Sequence, residues 1–205
     1  MARDIQQICA EARVIPVLVL DDPAAATTLA EVLVENGLPV LEVTLRTPRA
    51  LDCVAAMAKV AGAQVGVGTI LRAEDIDRAR NSGARFGLSP GHSDALLARG
   101  QGDFTLIPAV ATPAEALQVS EAGFRFQKLF PAQVVGGVAM LKALGSVLPD
   151  VTFCPTGGVT QNTAPDYLAL PNVSCVGGSW IAPVADVANG NWDAIGARAR
   201  LAASG

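Results

Sequence analysis

Lys128 interrupts the run Phe124-Arg125-Phe126-Gln127-Lys128-Leu129-Phe130, which otherwise has the composition of a buried strand. Burying an ammonium group is costly. The chain can pair the charge, let the head reach water, or hold the amine neutral. A neutral amine in a dry pocket attacks carbonyl carbon. Most strand lysines are solvated or paired, so Lys128 gains a chemical meaning only through its partners.

A second stretch offers such partners. In Val40-Leu41-Glu42-Val43-Thr44-Leu45-Arg46, alternate side chains face opposite ways. Leu41, Val43 and Leu45 form one face, suited to packing under helices. Glu42, Thr44 and Arg46 form the other. On a solvated strand this is plain alternation. On a strand covered by helices it places a carboxylate, a hydroxyl and a guanidinium in one interior cavity. Ionisable groups gathered in that way are enriched at active sites. Glu42 is suited to moving protons, and the planar fork of Arg46 to binding a carboxylate.

Other polar groups fall at the ends of apolar runs. Arg13 opens the first, Thr69 closes Gly66-Val67-Gly68-Thr69, and Ser89-Pro90-Gly91 follows the fourth. Thr156-Gly157-Gly158 and Gly177-Gly178-Ser179 follow the last two. Glycine-rich turns expose backbone N–H groups that can hold phosphate, although glycine also serves any tight turn.

The elements that must position these groups alternate regularly. Expected strands are Val14–Leu20, Val40–Leu45, Gln64–Val67, Arg85–Leu88, Phe104–Ile107, Phe124–Leu129, Val151–Cys154 and Ser174–Val176. Helical patterns cover Pro23–Asn36, Pro48–Ala61, Ala73–Ser82, Ser93–Arg99, Pro113–Glu121, Gly137–Leu148, Tyr167–Leu170 and Trp192–Ala203. Asp22-Pro23, Thr47-Pro48 and Thr112-Pro113 read as helix starts. Asn36-Gly37, Ser82-Gly83 and Ala122-Gly123 read as stops. Eight strands alternating with helices predict a parallel α/β sheet, closed as a (β/α)₈ barrel in a single domain over 1–205. Barrel sites lie at the C-terminal strand ends, with phosphate commonly held by the last two loops.

Composition sets the outer bounds. The 205 residues are 51% hydrophobic and 17% charged, with a mean hydropathy of +0.39. Buried parallel strands account for such values. No run reaches the ~18 apolar residues of a membrane span, and the N-terminus lacks a signal-peptide core, so a cytoplasmic protein is expected. A net charge of −4 without a basic cluster argues against nucleic acid as a partner. Cys9, Cys53, Cys154 and Cys175 are scattered and read as free thiols. His92 stands alone, which excludes multi-histidine metal sites, and it reads as a loop or helix-start residue. Trp180 and Trp192 read as packing groups.

Six motifs in order resemble the 2-keto-3-deoxy-6-phosphogluconate (KDPG) / 4-hydroxy-2-oxoglutarate (KHG) aldolases. They are Glu42-Val43-Thr44-Leu45-Arg46-Thr47, Gly66-Val67-Gly68-Thr69, Ser89-Pro90-Gly91, Lys128-Leu129-Phe130-Pro131-Ala132, Phe153-Cys154-Pro155-Thr156-Gly157-Gly158 and Val176-Gly177-Gly178-Ser179-Trp180. The resemblance spans nearly the whole chain. It implies a class I, metal-independent aldolase without a cofactor, a (β/α)₈ barrel and a homotrimer. It makes Lys128 the Schiff-base lysine and Glu42 the general acid/base. Arg46 and Thr69 would hold the pyruvyl carboxylate, with Pro90 in the same substrate site and Thr156 near the aldehyde portion. Gly157, Gly158, Gly178 and Ser179 would hold the phosphate, with Arg13 close by. Two residues depart from the family pattern: Gln127 stands where an apolar or aromatic residue is usual, and Gln133 where glutamate is frequent. The implied substrates are a 2-keto-3-deoxy sugar acid phosphate and pyruvate. The galactonate epimer is an alternative substrate. An isomerase or decarboxylase on a phosphate-binding barrel, or a non-catalytic ligand-binding barrel, are readings of another kind.

Overall fold

The computed structural model describes residues 5–102 and 104–204. The N-terminal Met-Ala-Arg-Asp considered above lies outside them. Among the described residues nine strand segments alternate with ten helices. The first half runs α1 (Ile5–Ala12), β1 (Val14–Leu18), α2 (Pro23–Glu35), β2 (Val40–Thr44), α3 (Ala50–Met57), β3 (Gln64–Gly68), α4 (Ala73–Asn81), β4 (Phe86–Leu88) and α5 (Asp94–Gly100). The second half runs β5 (Thr105–Ile107), β6 (Ala109–Val110), α6 (Pro113–Glu121), β7 (Phe126–Leu129), α7 (Gly137–Val147), β8 (Thr152–Pro155), α8 (Ala164–Leu168), β9 (Val176–Gly178), α9 (Val184–Ala188) and α10 (Trp192–Ala203).

All pairings are parallel. One curled sheet has six strands in the order β5-β4-β3-β2-β1-β9, and a second has three, β6-β7-β8. The expected α/β class is therefore present, as two curled parallel sheets. Pro108 separates β5 from β6: β5 pairs with β4, and β6 with β7. Proline lacks the N–H that a continuous ladder needs, so the expected strand Phe104–Ile107 ends as β5 and a short β6, not expected from the sequence, follows it. A bridge between Thr156 and Gly177 links the end of β8 to β9.

The alternation in β2 sorts residues between two cores. Leu41 and Val43 join the outer layer between strands and helices, with Leu29, Leu33, Val54 and Met57. Val40 belongs to the inner cluster with Ile15, Phe86, Leu88, Ile107, Phe126, Cys154 and Cys175. Ile8, Cys9 and Ala12 of α1 close that inner cluster from below. Neither α1 nor α9 is among the helices expected from the sequence. The last strand lies two residues later than expected, because Ser174 N instead bonds Phe153 O.

Several helix boundaries follow the local chemistry expected from the sequence. Asp22 caps α2 by accepting from Ala24 N at 3.0 Å, and Thr112 and Glu115 form a reciprocal capping box on α6. Gly37, Gly83 and Gly123 end helices at positive φ. Thr47 does not cap α3. Its hydroxyl bonds Leu20 O instead, and Arg49 takes the cap position without a side-chain bond.

Candidate active site

Lys128 is the third residue of β7, with Ala109 of β6 and Cys154 of β8 as register partners. Its neighbours Gln127 and Leu129 point the other way, towards the helices. Gln127 Nε2 donates to Ala116 O and Phe124 O, both at 3.0 Å. These bonds satisfy the amide nitrogen, while Oε1 is buried without a hydrogen-bond partner among the described residues. Lys128 Nζ donates to Glu42 Oε1 at 3.2 Å, and lies 5.3 Å from the centroid of the Phe130 ring.

Glu42 sits in the middle of β2, between Val17 of β1 and Gly66 of β3. It is 1% exposed and Lys128 is 5% exposed. The pair is therefore desolvated, and its attraction is screened little by water. Oε2 of Glu42 is buried without a hydrogen-bond partner among the described residues. A buried carboxylate oxygen without a donor is costly. It marks a place where a ligand hydroxyl or water can bind.

These two residues open onto a cavity of about 460 Å³ lined also by Arg46, Thr69, Pro90, Thr156, Gly157, Gly158 and Ser179. Most of the expected site residues thus surround one space. Apart from Glu42 and Lys128, which lie within β2 and β7, these residues follow strands at their C-terminal ends. Thr69 holds φ at 63° immediately after β3. A β-branched residue there is strained, and such strain concentrates at binding sites. Gly157 and Gly158 turn with φ of 95° and 81°, conformations that glycine tolerates best.

Three expected positions differ. Arg13 precedes β1 and lines a separate groove with Gln161, Pro165, Trp180 and Leu201. It opens the strand at its N-terminal end, opposite to the ends that carry the cavity, and so lies apart from it. Gly178 lies between two lining residues, yet a Cβ there would fall 1.7 Å from the Trp180 ring. Its bare backbone seats that indole instead of facing the cavity. Thr44 lies buried, and its hydroxyl donates to Leu18 O at 2.9 Å, tying β2 to β1.

Gly177 of the second glycine turn also lines the cavity, and Val17, Val19, Phe130 and Val159, which the sequence did not single out, complete the lining. Alternation could have found some of them. Val17 and Val19 share a face of the first strand, and Phe130 stands two residues beyond Lys128. Gln133 lies beside the glycine turn: its N–H donates to Gly157 O at 3.0 Å. His92 Nδ1 lies 3.0 Å from Ala109 O, a structural contact.

Beneath the pair, Cys154 shares the inner face with Lys128. Its Sγ lies 3.8 Å from Thr156 Oγ1. Contact with Cys175 and the Lys128 charge push the Cys154 thiol below its ordinary range, while Cys154, Cys9 and burial push Cys175 well above it. All four cysteines are free and buried.

A lysine pressed against a carboxylate at the strand ends of a parallel α/β sheet is the arrangement of a class I aldolase. Residues 5–198 match the family model described as KDPG and KHG aldolase. The chain belongs to that family. It is 43% identical to a 2-dehydro-3-deoxy-phosphogluconate aldolase of Pseudoalteromonas atlantica, covering 98% of this chain and 94% of that one. It is 41% identical to a KHG/KDPG aldolase of Escherichia coli K12, covering 94% and 91%. A crystal structure of a KDPG aldolase from Legionella pneumophila, with pyruvate captured as a covalent carbinolamine, superposes with a TM-score of 0.93. That protein is 39% identical, with 98% of each chain covered.

No described helix is long and apolar enough to cross a membrane.

Proposed function

We propose that this chain cleaves KDPG to pyruvate and D-glyceraldehyde 3-phosphate through a Schiff base on Lys128. The observation that carries the reading is the buried Lys128–Glu42 contact of 3.2 Å beside a strand-end cavity. The family similarity supports it. Cleaving 4-hydroxy-2-oxoglutarate to pyruvate and glyoxylate is the same chemistry without the phosphate.

The neutral amine of Lys128 adds to the C2 carbonyl, and the carbinolamine loses water to give an iminium. A base removes the C4 hydroxyl proton. The C3–C4 bond breaks and its electron pair enters the iminium as an enamine, while the aldehyde departs. Protonation at C3 and hydrolysis release pyruvate and restore the amine. Glu42 moves the protons, and the protonated iminium makes a metal or other cofactor unnecessary as electron sink. Arg46 binds the pyruvyl carboxylate through its planar fork, assisted by Thr69 and Pro90. Thr156 flanks the aldehyde half. The backbone of Gly157 and Gly158, with Ser179, holds the phosphate and so orients the reacting carbons.

The same reading takes the two sheets as one closed (β/α)₈ barrel in a single domain. Pro108 then interrupts the fifth strand, and the Thr156–Gly177 bridge closes the eighth onto the ninth segment. Family similarity supports a homotrimer acting in the cytoplasm, in Entner–Doudoroff carbohydrate metabolism. Sedimentation analysis would measure the oligomer.

Borohydride added with pyruvate should inactivate the enzyme and leave a reduced adduct on Lys128 in a peptide map, with EDTA without effect. An unmodified Lys128, together with full activity in Lys128→Ala, would sink the proposal. A parallel assay of KDPG, its C4 epimer and 4-hydroxy-2-oxoglutarate would rank the substrates.

A further inference from the structure

Gly68 ends β3 directly opposite Thr44 of β2, and its carbonyl accepts from Leu45 N at 2.9 Å. It lines no part of the cavity described above. A Cβ placed on Gly68 would nevertheless lie 2.0 Å from Glu42 Oε1, 2.8 Å from its Cδ and 2.9 Å from its Cγ. The Glu42 carboxylate occupies the volume where any other residue at 68 would keep its side chain. The backbone is not the reason for glycine here, because Gly68 is not among the residues at positive φ. Only space excludes a side chain.

The carboxylate also has little freedom to move away. Glu42 is 1% exposed, so to leave this position it must enter the substrate cavity and give up its contact with Lys128. Its Oε1 receives Lys128 Nζ at 3.2 Å, and Oε2 is buried without a partner among the described residues. One oxygen is thus anchored over Gly68, and the other is left for a ligand.

We propose that Gly68 is a positioning residue of the aldol cleavage: its bare Cα is the seat that holds Glu42 Oε1 against Lys128 and leaves Oε2 to move protons. This rests on the reading of Glu42 as the proton carrier. Oε2 takes the C4 hydroxyl proton as the C3–C4 bond breaks and its electron pair enters the iminium. It then returns that proton to C3 of the enamine. The carboxylate begins and ends the cycle unprotonated.

A double-mutant cycle tests the seat, with Gly68→Ala and Glu42→Ala made singly and together. Gly68→Ala should lower kcat for KDPG cleavage, and the exchange of pyruvate C3 protons in D₂O, by about 30-fold or more. KM should change by less than about threefold, since binding groups are untouched. Gly68→Ala should also lower Tm. In the Glu42→Ala background the same methyl group should change neither Tm nor the residual exchange rate appreciably. Should Gly68→Ala alone fail to fold, the double variant should fold with the Tm of Glu42→Ala. The proposal is overturned if Gly68→Ala keeps kcat and exchange within about twofold of the native chain. It is equally overturned if the added methyl costs as much without the Glu42 side chain as with it, or if the double variant does not fold while Glu42→Ala alone does. Full activity in Glu42→Ala alone would instead sink the reading of Glu42 as proton carrier, and the Tm cycle would still judge the seat.

Discussion

Lys128 Nζ and Glu42 Oε1 lie 3.2 Å apart although 86 residues separate them in the chain. Both side chains are almost wholly withdrawn from water. A buried ion pair is poorly explained as a stabilising device, since desolving two charges offsets most of their attraction. Its retention in the core makes sense as chemistry. Removing one partner is a different matter, because the other is left charged and unpaired. Lys128→Met should therefore destabilise the fold by about 3–5 kcal/mol, while Lys128→Met combined with Glu42→Gln should recover a substantial part. Urea unfolding of the native chain and the two variants would measure this. Equal stability of Lys128→Met and the native chain would mean that the pair is not energetically coupled.

Arg46 is exposed at the mouth of the cavity, in the turn two residues beyond Thr44, the last residue of β2. It can meet a carboxylate in both the bound substrate and the transition state. Losing hydrogen bonds to a charged group costs about 1.5–3 kcal/mol. Arg46→Ala should raise the KM for pyruvate-forming substrates by about 10- to 100-fold with a smaller change in kcat. Arg46→Lys keeps the charge but lacks the planar fork, and should fall between the two. A fall in kcat alone, with KM unchanged, would contradict a carboxylate-binding role.

Ser179 faces the same cavity beside the Gly157-Gly158 turn. Its contribution should appear only when a phosphate is present. Ser179→Glu sets a negative charge against the phosphate and should raise the KM for KDPG by about tenfold or more. Cleavage of 4-hydroxy-2-oxoglutarate should change by less than about threefold, because its short chain does not reach the turn. Equal losses with both substrates would place the phosphate elsewhere.

The sequence made these groups legible to different degrees. Strand alternation placed Glu42 inside and Leu41 and Val43 outside, because the pleat has a period of two. Proline and glycine marked most helix ends for equally local reasons. Arg13 stands apart from the cavity for a reason that strand direction carries and family resemblance does not: a residue that opens a parallel strand lies at the end opposite the one where its neighbours' C-terminal loops converge. Thr47 was misread because a tertiary acceptor, Leu20 O, competes with the helix for its hydroxyl. The division at Pro108 was readable in principle, since proline donates nothing to a ladder. The roles of Gly68 and Gly178 were not readable. Each depends on a side chain from elsewhere filling the space, Glu42 in one case and Trp180 in the other. No local pattern carries that information.

Asp186 offers a pH-dependent prediction away from the cavity. It lies in α9, where Asn191 Nδ2 donates to its Oδ1 at 2.9 Å and Arg198 of α10 pairs with its Oδ2. Arg198 also donates through Nε to Ile181 O at 2.9 Å, so one guanidinium joins α10 to α9 and to the loop after β9. The Asn191 hydrogen bond first, and the Arg198 contact second, hold the Asp186 carboxyl below the usual carboxylate range. A carboxylate with a lowered value in the fold stabilises above its unfolded value, about 3.9, and that stabilisation is lost as pH falls through the folded value. Asp186→Asn should accordingly lower Tm at pH 7, and the gap should narrow steadily below about pH 4. The side chain keeps 24% of its exposure, so water and salt screen the contact, and the effect should be modest and smaller in 0.5 M salt than at low ionic strength, at about a 4–5 Å Debye length. Thermal scans of both chains at pH 7 and in the acid range would decide it. A gap that is unchanged in acid would assign the effect to packing of α9 and not to the charge on Asp186.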